Sequence, residues 1–206
     1  MVTLQKIAPQ EIEAESFRII ERELGPHSFS TEEFAVVRRI IHATGDFSFA
    51  ENLRFHPEAI QAGLAAIRAG KNILVDVNMA ANGISTALLN PFGGRVICRI
   101  KEAQTVELAK KNRTTRSDAA IARAANDNIG ILAIGNAPTA LLKAMELIDQ
   151  GLLAPDLVIG VPVGFVNAAE SKQLLADKSY PFITALGRKG GTPVAVAAVN
   201  ALLRLV

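Results

Sequence analysis

His42 is the residue of this chain best placed to transfer a proton. It lies in Arg38-Arg39-Ile40-Ile41-His42-Ala43-Thr44-Gly45, where a helical pattern ends at a glycine. Imidazole titrates near neutral pH, and the last turn of a helix favours its cationic form. Arg38 and Arg39 lie on neighbouring turns, where they would attract an anion. The position suits a proton donor that faces an acidic substrate. Taken alone, however, this position is more typical of a histidine that caps its helix or packs in the core.

A second group of candidates follows the predicted strands. Four loops combine glycine with a small or amide residue just before a helix, namely 78–83, 135–139, 162–167 and 187–193. Ligands of open α/β sheets bind beyond the carboxyl ends of the strands, where helix N-termini offer free N–H groups to anions. Each loop also has a structural explanation, since such turns need glycine and helix caps. Arg116 and Arg188 can clamp carboxylates or be solvated surface charges. Together these features predict a ligand that carries carboxylate or phosphate groups.

Motifs of several other functional classes are absent from the sequence. There is no Gly-x-Gly-x-x-Gly, no phosphate-binding Gly-x-x-x-x-Gly-Lys-Ser/Thr and no Gly-x-Ser-x-Gly elbow, so dinucleotide, nucleoside triphosphate and hydrolase functions lack support. The spacing of His27 and His56 from acidic residues is not that of metal ligands, and both are interpreted as structural. Aromatic residues make up 5% of the chain, without Trp, which argues against base stacking and against a flavin held between aromatic rings.

Composition bounds the remaining possibilities. A chain of 206 residues is expected to form one domain, residues 1–206. The 22 basic and 20 acidic residues give a net charge of +2, which provides no general field for nucleic acid. Cys98 lies in an apolar run and is expected to be a buried strand thiol. No signal segment and no long apolar span are found, so a soluble, cytoplasmic protein without a membrane partner is expected.

Helices and strands must position these candidates. Helices are predicted over 10–24, after the Ser30/Glu33 capping box up to Gly45, and from Pro57 to Gly70. Beyond them, apolar runs alternate with helical stretches. The predicted strands are 72–77, 96–100, 129–134, 157–161 and 182–186. The predicted helices between and after them are 80–90, 102–125 (broken near Asn112), 137–150, 167–177 and 192–204. This alternation predicts an α/β protein with N-terminal helices and a three-layer, doubly wound, parallel five-stranded sheet.

Six segments together resemble the precorrin-8X methylmutase (precorrin isomerase) family, including its cobalt-precorrin-8 counterpart. The resemblance runs over nearly the whole chain, and the Pro-Val-Gly-Phe-Val and Gly-Asn-Ala-Pro-Thr-Ala runs are its most specific parts. Lys189 and the stretch after Asp46 look variable and carry less weight. The segments are Glu15–Ile20, Arg39–Asp46, Thr115–Ser117, Ala133–Ala140, Val161–Lys172 and Gly187–Gly191.

The resemblance implies a flavodoxin-like domain, a homodimer with active sites at the subunit interface, and no cofactor. It implies migration of a methyl group from C-11 to C-12 of precorrin-8X or cobalt-precorrin-8, giving hydrogenobyrinic acid or cobyrinic acid. The family's catalytic histidine falls on His42, its substrate-contacting serine and arginine fall on Ser16 and Arg39, and the arginine of its Thr-Arg-Ser motif falls on Arg116. Ser117, Gly135, Asn136 and Arg188 complete the predicted substrate-binding set.

Two other functions remain open at this level. One is a corrinoid-binding or carrier protein that does not isomerise its ligand. The other is a flavodoxin-like protein that binds phosphate or flavin, for which the chain lacks a phosphate loop and aromatic partners. The sequence contains no motif that distinguishes metal-free from cobalt-containing substrate.

Overall fold

A mostly parallel sheet with helices on both faces forms the centre of this protein. A computed structural model describes residues 6–125 and 127–206. The strands are β1 (Leu53–Phe55), β2 (Asn72–Val75), β3 (Val96–Ile97), β4 (Ile129–Ile134), β5 (Leu157–Gly160) and β6 (Phe182–Ala185). The α-helices are α1 (Ile12–Leu24), α2 (Thr31–Thr44), α3 (Ser48–Asn52), α4 (Ala59–Arg68), α5 (Asn78–Gly83), α6 (Thr86–Leu89), α7 (Ala103–Asn112), α8 (Arg116–Arg123), α9 (Pro138–Asp149), α10 (Ala168–Ala176) and α11 (Thr192–Leu205). Pro9–Glu11 and Asn90–Phe92 form 3-10 helices.

The six strands lie in the order β1-β6-β5-β4-β2-β3. The strands from β2 to β6 are parallel, and only β1 runs antiparallel, beside β6. Numbered along the chain, the five parallel strands are therefore arranged 2-1-3-4-5 across the sheet, which is the flavodoxin-like order. Its topological switch point lies between β2 and β4, and ligands of such folds bind in the crevice outside that point.

Alternate residues of the strands supply two separate hydrophobic cores. Ile73 of β2 packs with α1, α2, α4 and α11 on one face. Leu74, the next residue, packs with α8, α9 and α10 on the other face. Because β4 is buried along its whole length, its sequence is a continuous apolar run. The predicted three-layer α/β arrangement is thus confirmed. The predicted strand number of five is wrong, because β1 adds a sixth, antiparallel strand at the free edge of β6.

Helix α2 begins and ends as its sequence predicts. Ser30 Oγ accepts a hydrogen bond from the Glu33 N–H at 3.2 Å, and the Glu33 carboxylate accepts one from the Ser30 N–H at 2.9 Å. Gly45 ends the helix in the left-handed region with φ 64°, which glycine adopts without a steric cost. These two ends fix where His42 emerges.

Several boundaries differ from the sequence predictions. Residues 56–58 form a turn, so α4 begins at Ala59 and not at Pro57. The predicted helix 80–90 is split into α5 and α6, because the Asn200 amide binds Ser85 N–H at 2.9 Å and Gly83 O at 2.9 Å. Cys98 lies one residue beyond β3 and is half-buried, and this burial raises the pKa of its thiol. None of the described helices has both the length and the apolar character needed to cross a bilayer.

Candidate active site

His42 lies in the last turn of α2 with an exposed side chain. Its ring meets the edge of the Phe17 ring from α1, with centroids 5.4 Å apart and planes at 80°. On its other side, His42 lines a cleft of about 240 Å³ whose far wall belongs to α11, at Pro193, Val196, Ala197 and Asn200. The imidazole is therefore neither buried in the core nor used as a cap. It faces a surface cleft, where a proton donor can reach a bound molecule.

Arg39 lines the same cleft one turn before His42. Its guanidinium binds the Glu13 carboxylate of α1 through two nitrogens, at 3.0 and 3.3 Å. This pairing lowers the pKa of Glu13, chiefly through the hydrogen bond from Arg39. The Ser16 hydroxyl, also on α1, donates a hydrogen bond to the Ile12 carbonyl oxygen at 2.8 Å. The packing of α1 on α2 thus gathers the predicted residues Ser16, Arg39 and His42 on one side of the sheet.

Asp76 occupies the topological switch point. It directly follows β2, its side chain is fully buried, and its carboxyl oxygens accept hydrogen bonds from three consecutive N–H groups after β4. These are Gly135 at 3.2 Å, Asn136 at 2.8 Å and Ala137 at 2.8 Å. Burial raises the pKa of Asp76, and the three N–H groups partly oppose that rise.

The loop after β4 therefore differs from the expected anion site. Its N–H groups already donate to Asp76, so they are not free for a ligand. Asn136 keeps an exposed side chain, through which it can contact substrate. Gly135 is buried, and a Cβ there would lie 2.7 Å from Thr192 Cα, so only glycine lets this loop approach the start of α11. Pro193, the next residue of α11, already lines the His42 cleft.

Arg116 and Ser117 are the first residues of α8. Thr115 caps this helix by accepting from Asp118 N–H at 3.1 Å. Its hydroxyl also lies 2.9 Å from that of Thr139, at the start of α9. This contact sets the exposed Arg116 beside the loop that carries Asn136. Arg116 and Ser117 therefore begin one of the two helices joined by this contact, and Gly135 and Asn136 lie in the loop that leads into the other.

Arg188 lies at the carboxyl edge of the sheet, in the loop between β6 and α11. Its guanidinium carbon is 5.5 Å from the centre of the exposed Phe165 ring. The next residue, Lys189, crosses to the end of α2 and binds Asp46 Oδ2 at 2.6 Å and Ser48 Oγ at 2.9 Å. The hydrogen bond from Lys189, and after it the hydrogen bonds from Ser48, lower the pKa of Asp46 to about 2. The Arg188 loop is therefore tied to the segment that follows His42.

Sequence reasoning missed four contributors to this arrangement, Asp76, Asn200, Lys172 and the Lys189–Asp46 pair. The sequence signal for Asp76 was modest, a carboxylate at the end of an apolar strand. Lys172 lies among the buried residues of α10 and donates to the Lys189 carbonyl oxygen, which no sequence motif announces. The two remaining histidines lie elsewhere, with His27 stacked on Phe34 and His56 Nδ1 accepting from Glu58 N–H. Within residues 6–125 and 127–206, no group of three His, Cys, Asp or Glu side chains is arranged to hold a metal ion.

Comparison with known proteins identifies the family. The family model for precorrin-8X methylmutase matches residues 11–205. The chain belongs to the precorrin-8X methylmutase family. It is 48% identical to the cobalt-precorrin-8 methylmutase of Priestia megaterium, over 95% of this chain and 88% of that protein. It is 41% identical to the precorrin-8X methylmutase of Pseudomonas aeruginosa, over 94% of each. The crystal structure of precorrin-8x methyl mutase from Thermus thermophilus superposes with a TM-score of 0.87, at 47% identity and 95% coverage of both chains.

Membership makes this chain an isomerase of cobalamin biosynthesis, as its family resemblance implied. The site chemistry agrees with that class. An exposed imidazole adjoins an arginine in one cleft, and further arginines stand along the carboxyl edge of the sheet. Such a surface can hold a ligand with several carboxylates and deliver a proton to it.

Proposed function

We propose that this chain moves a methyl group from C-11 to C-12 of precorrin-8X or cobalt-precorrin-8, forming hydrogenobyrinic acid or cobyrinic acid. His42 is the general acid. The observation that carries this proposal is the exposed His42 imidazole, set between Phe17 and α11 and adjoined by Arg39 in one cleft. The imidazole is exposed, so it can reach a molecule bound in this cleft.

The reaction is an isomerisation, so its protons must balance. A proton that His42 gives to the macrocycle is matched by one that leaves the macrocycle, and His42 is reprotonated for the next turnover. An intramolecular methyl shift changes no overall oxidation state, so the proposal includes no cofactor. General acid catalysis contributes typically about 10²–10⁴-fold, and holding the flexible ring system in a reactive shape supplies much of the remainder.

Arg39, Arg116 and Arg188 are proposed to bind the acidic side chains of the tetrapyrrole. Arg39 is paired with Glu13, so a substrate carboxylate would have to share or displace that partner. Arg116 and Arg188 are exposed and form no salt bridge within the described residues. Ser16, Ser117 and Asn136 are proposed as polar contacts around these charges, while Gly135 permits the close approach of the loop to α11.

We also propose that two copies of this chain associate. The loop after β5 presents three exposed apolar side chains, Val163, Phe165 and Val166, with Phe165 84% exposed. An apolar group of this kind beside a polar site is typical of a protein–protein contact. Analytical ultracentrifugation should give the mass of a dimer, and Phe165→Asp should shift it toward the monomer. A wild-type protein that sediments as a monomer at micromolar concentration would contradict this part.

The direct test of the activity is conversion of substrate followed by visible spectroscopy. Purified protein is incubated separately with precorrin-8X and with cobalt-precorrin-8, and the spectrum of the conjugated product is expected to appear with at least one of them. Tight binding of the product without any conversion of substrate would show instead a corrinoid-binding protein. A yellow preparation containing flavin would support the flavodoxin-like alternative.

A further inference from the structure

Lys172 is a fully buried lysine in the middle of α10. Its Nζ donates a hydrogen bond to the backbone carbonyl oxygen of Lys189. Within the described residues no carboxylate lies within 4.0 Å of this ammonium group. Burying a cation without a counterion is costly, and burial lowers the pKa of Lys172 to about 8. An apolar side chain of the same length would pack there at lower cost, so the ammonium group needs an explanation other than stability.

The backbone that Lys172 holds is residues 187–191, the loop that carries Arg188. This loop is pressed against the end of β5, because the Gly191 N–H donates to Val161 O at 2.8 Å and the Gly164 N–H donates to Arg188 O at 3.2 Å. Gly190 has φ +159°, and a Cβ there would lie 2.2 Å from Val161 O. Within the described part of the chain, Lys172 is the only side chain that donates to a carbonyl of this loop.

Lys189 is therefore held at both ends. Its carbonyl accepts from Lys172 on α10, and its own ammonium group reaches Asp46 and Ser48 just after α2. A continuous set of polar contacts thus runs from a buried lysine, through the Arg188 loop, to the segment that follows His42. A shift of the loop would move Arg188 and would also weaken the contacts of Lys189 with Asp46 and Ser48.

We propose that Lys172 is a positioning residue, which fixes loop 187–191 so that Arg188 meets a carboxylate of the tetrapyrrole. This inference rests on the proposed function, because it assumes that Arg188 contacts the substrate. Lys172 itself is fully covered, so it acts on the substrate only through the loop. Its removal should therefore weaken binding through Arg188 and leave the proton transfer by His42 nearly intact.

A double-mutant cycle separates this role from a merely structural one. Lys172→Met keeps the length of the side chain and removes both charge and donor, Arg188→Ala removes the guanidinium, and the double variant combines them. The matched control is Lys178→Met, because Lys178 lies just after the same helix and pairs with Asp149, away from the loop. The measurements are kcat and KM for the substrate, together with Kd for hydrogenobyrinic acid from the change of its visible absorption spectrum on titration with protein.

Lys172→Met is expected to raise KM and the product Kd about tenfold and to change kcat less than about threefold. In the Arg188→Ala background it should change KM and Kd by less than about twofold, because its effect acts through Arg188. Lys172→Gln, which keeps a donor without the charge, should recover most of the affinity, and Lys178→Met should resemble the wild type.

Several results would overturn the inference. They are a second tenfold loss of affinity in the Arg188→Ala background, a loss confined to kcat, and no effect of Lys172→Met at all. If neither Lys172 variant folds, as judged by circular dichroism, the residue belongs to the core and the inference is wrong. The product Kd is measured without turnover, so a failure of the proposed isomerase activity in the wild type remains distinguishable from a failure of this inference.

Discussion

Replacing Asp76 by Asn should destabilise the protein much more than the small change in atoms suggests. One carboxyl oxygen of Asp76 accepts from Asn136 N–H and Ala137 N–H, while the other accepts from Gly135 N–H. The amide oxygen of Asn can keep the first two bonds. Its NH₂ group then faces the Gly135 N–H, so a donor meets a donor. The lost hydrogen bond costs about 0.5–1.5 kcal/mol and the buried unsatisfied donor about 1–3 kcal/mol. Removal of the buried charge, whose desolvation raises the pKa of Asp76, offsets part of this cost, so the predicted net loss is about 1–3 kcal/mol.

Urea unfolding at neutral pH measures this loss, and hydrogen exchange of the amides of residues 135–137 locates it. Asp156→Asn is the matched control, because Asp156 pairs with Lys71 and is 34% exposed. Breaking such a surface pair should cost no more than about 1 kcal/mol. The argument is refuted if Asp76→Asn loses no more stability than the control and the amides of residues 135–137 keep their protection.

Three further predictions concern charged groups around the site. Arg116→Ala should weaken product binding about tenfold and alter kcat little, since a clamp acts on binding more than on chemistry; an unchanged product Kd would remove Arg116 from the site. Asp46 has its pKa lowered to about 2, so its contribution to stability is present above about pH 4 and is lost as the pH falls toward 2. Asp46→Asn should remove this pH dependence in urea unfolding, with an amplitude below about 1 kcal/mol because the pair is partly solvated. Lys172 has its pKa lowered to about 8 from an ordinary 10.5, so the unfolded chain binds more protons between these values. The stability of the wild type relative to Lys172→Met should therefore rise between pH 8 and 10.5, and a flat difference would show that the group is not desolvated.

Four of the five parallel strands were predictable because each is a short apolar run that is largely buried between the two helix layers. Ile129–Ile134 shows this most clearly, since every residue of it is buried. Strand β1 was missed because its sequence carries no such signal. Leu53-Arg54-Phe55 is only three residues long, too short for any periodicity, and it forms a strand because β6 offers an antiparallel edge.

The candidate site was predictable where a local signal fixes a side chain. The Ser30/Glu33 capping box and Gly45 set both ends of α2, and so they determine where His42 emerges. Asp76 and Lys172 carry no comparable signal, because a buried charge is explained only by its partners. Those partners are backbone groups 59–61 residues later for Asp76 and 17 residues later for Lys172.

The central claim is that His42 delivers the proton that drives methyl migration. Comparing His42→Asn with the wild type in a single-turnover assay, read from the visible spectrum of the product, tests this claim most directly. The variant is expected to keep a product Kd within about threefold of the wild type while its rate falls by about 10²–10⁴-fold. Methyl migration at the wild-type rate in that variant would contradict the claim.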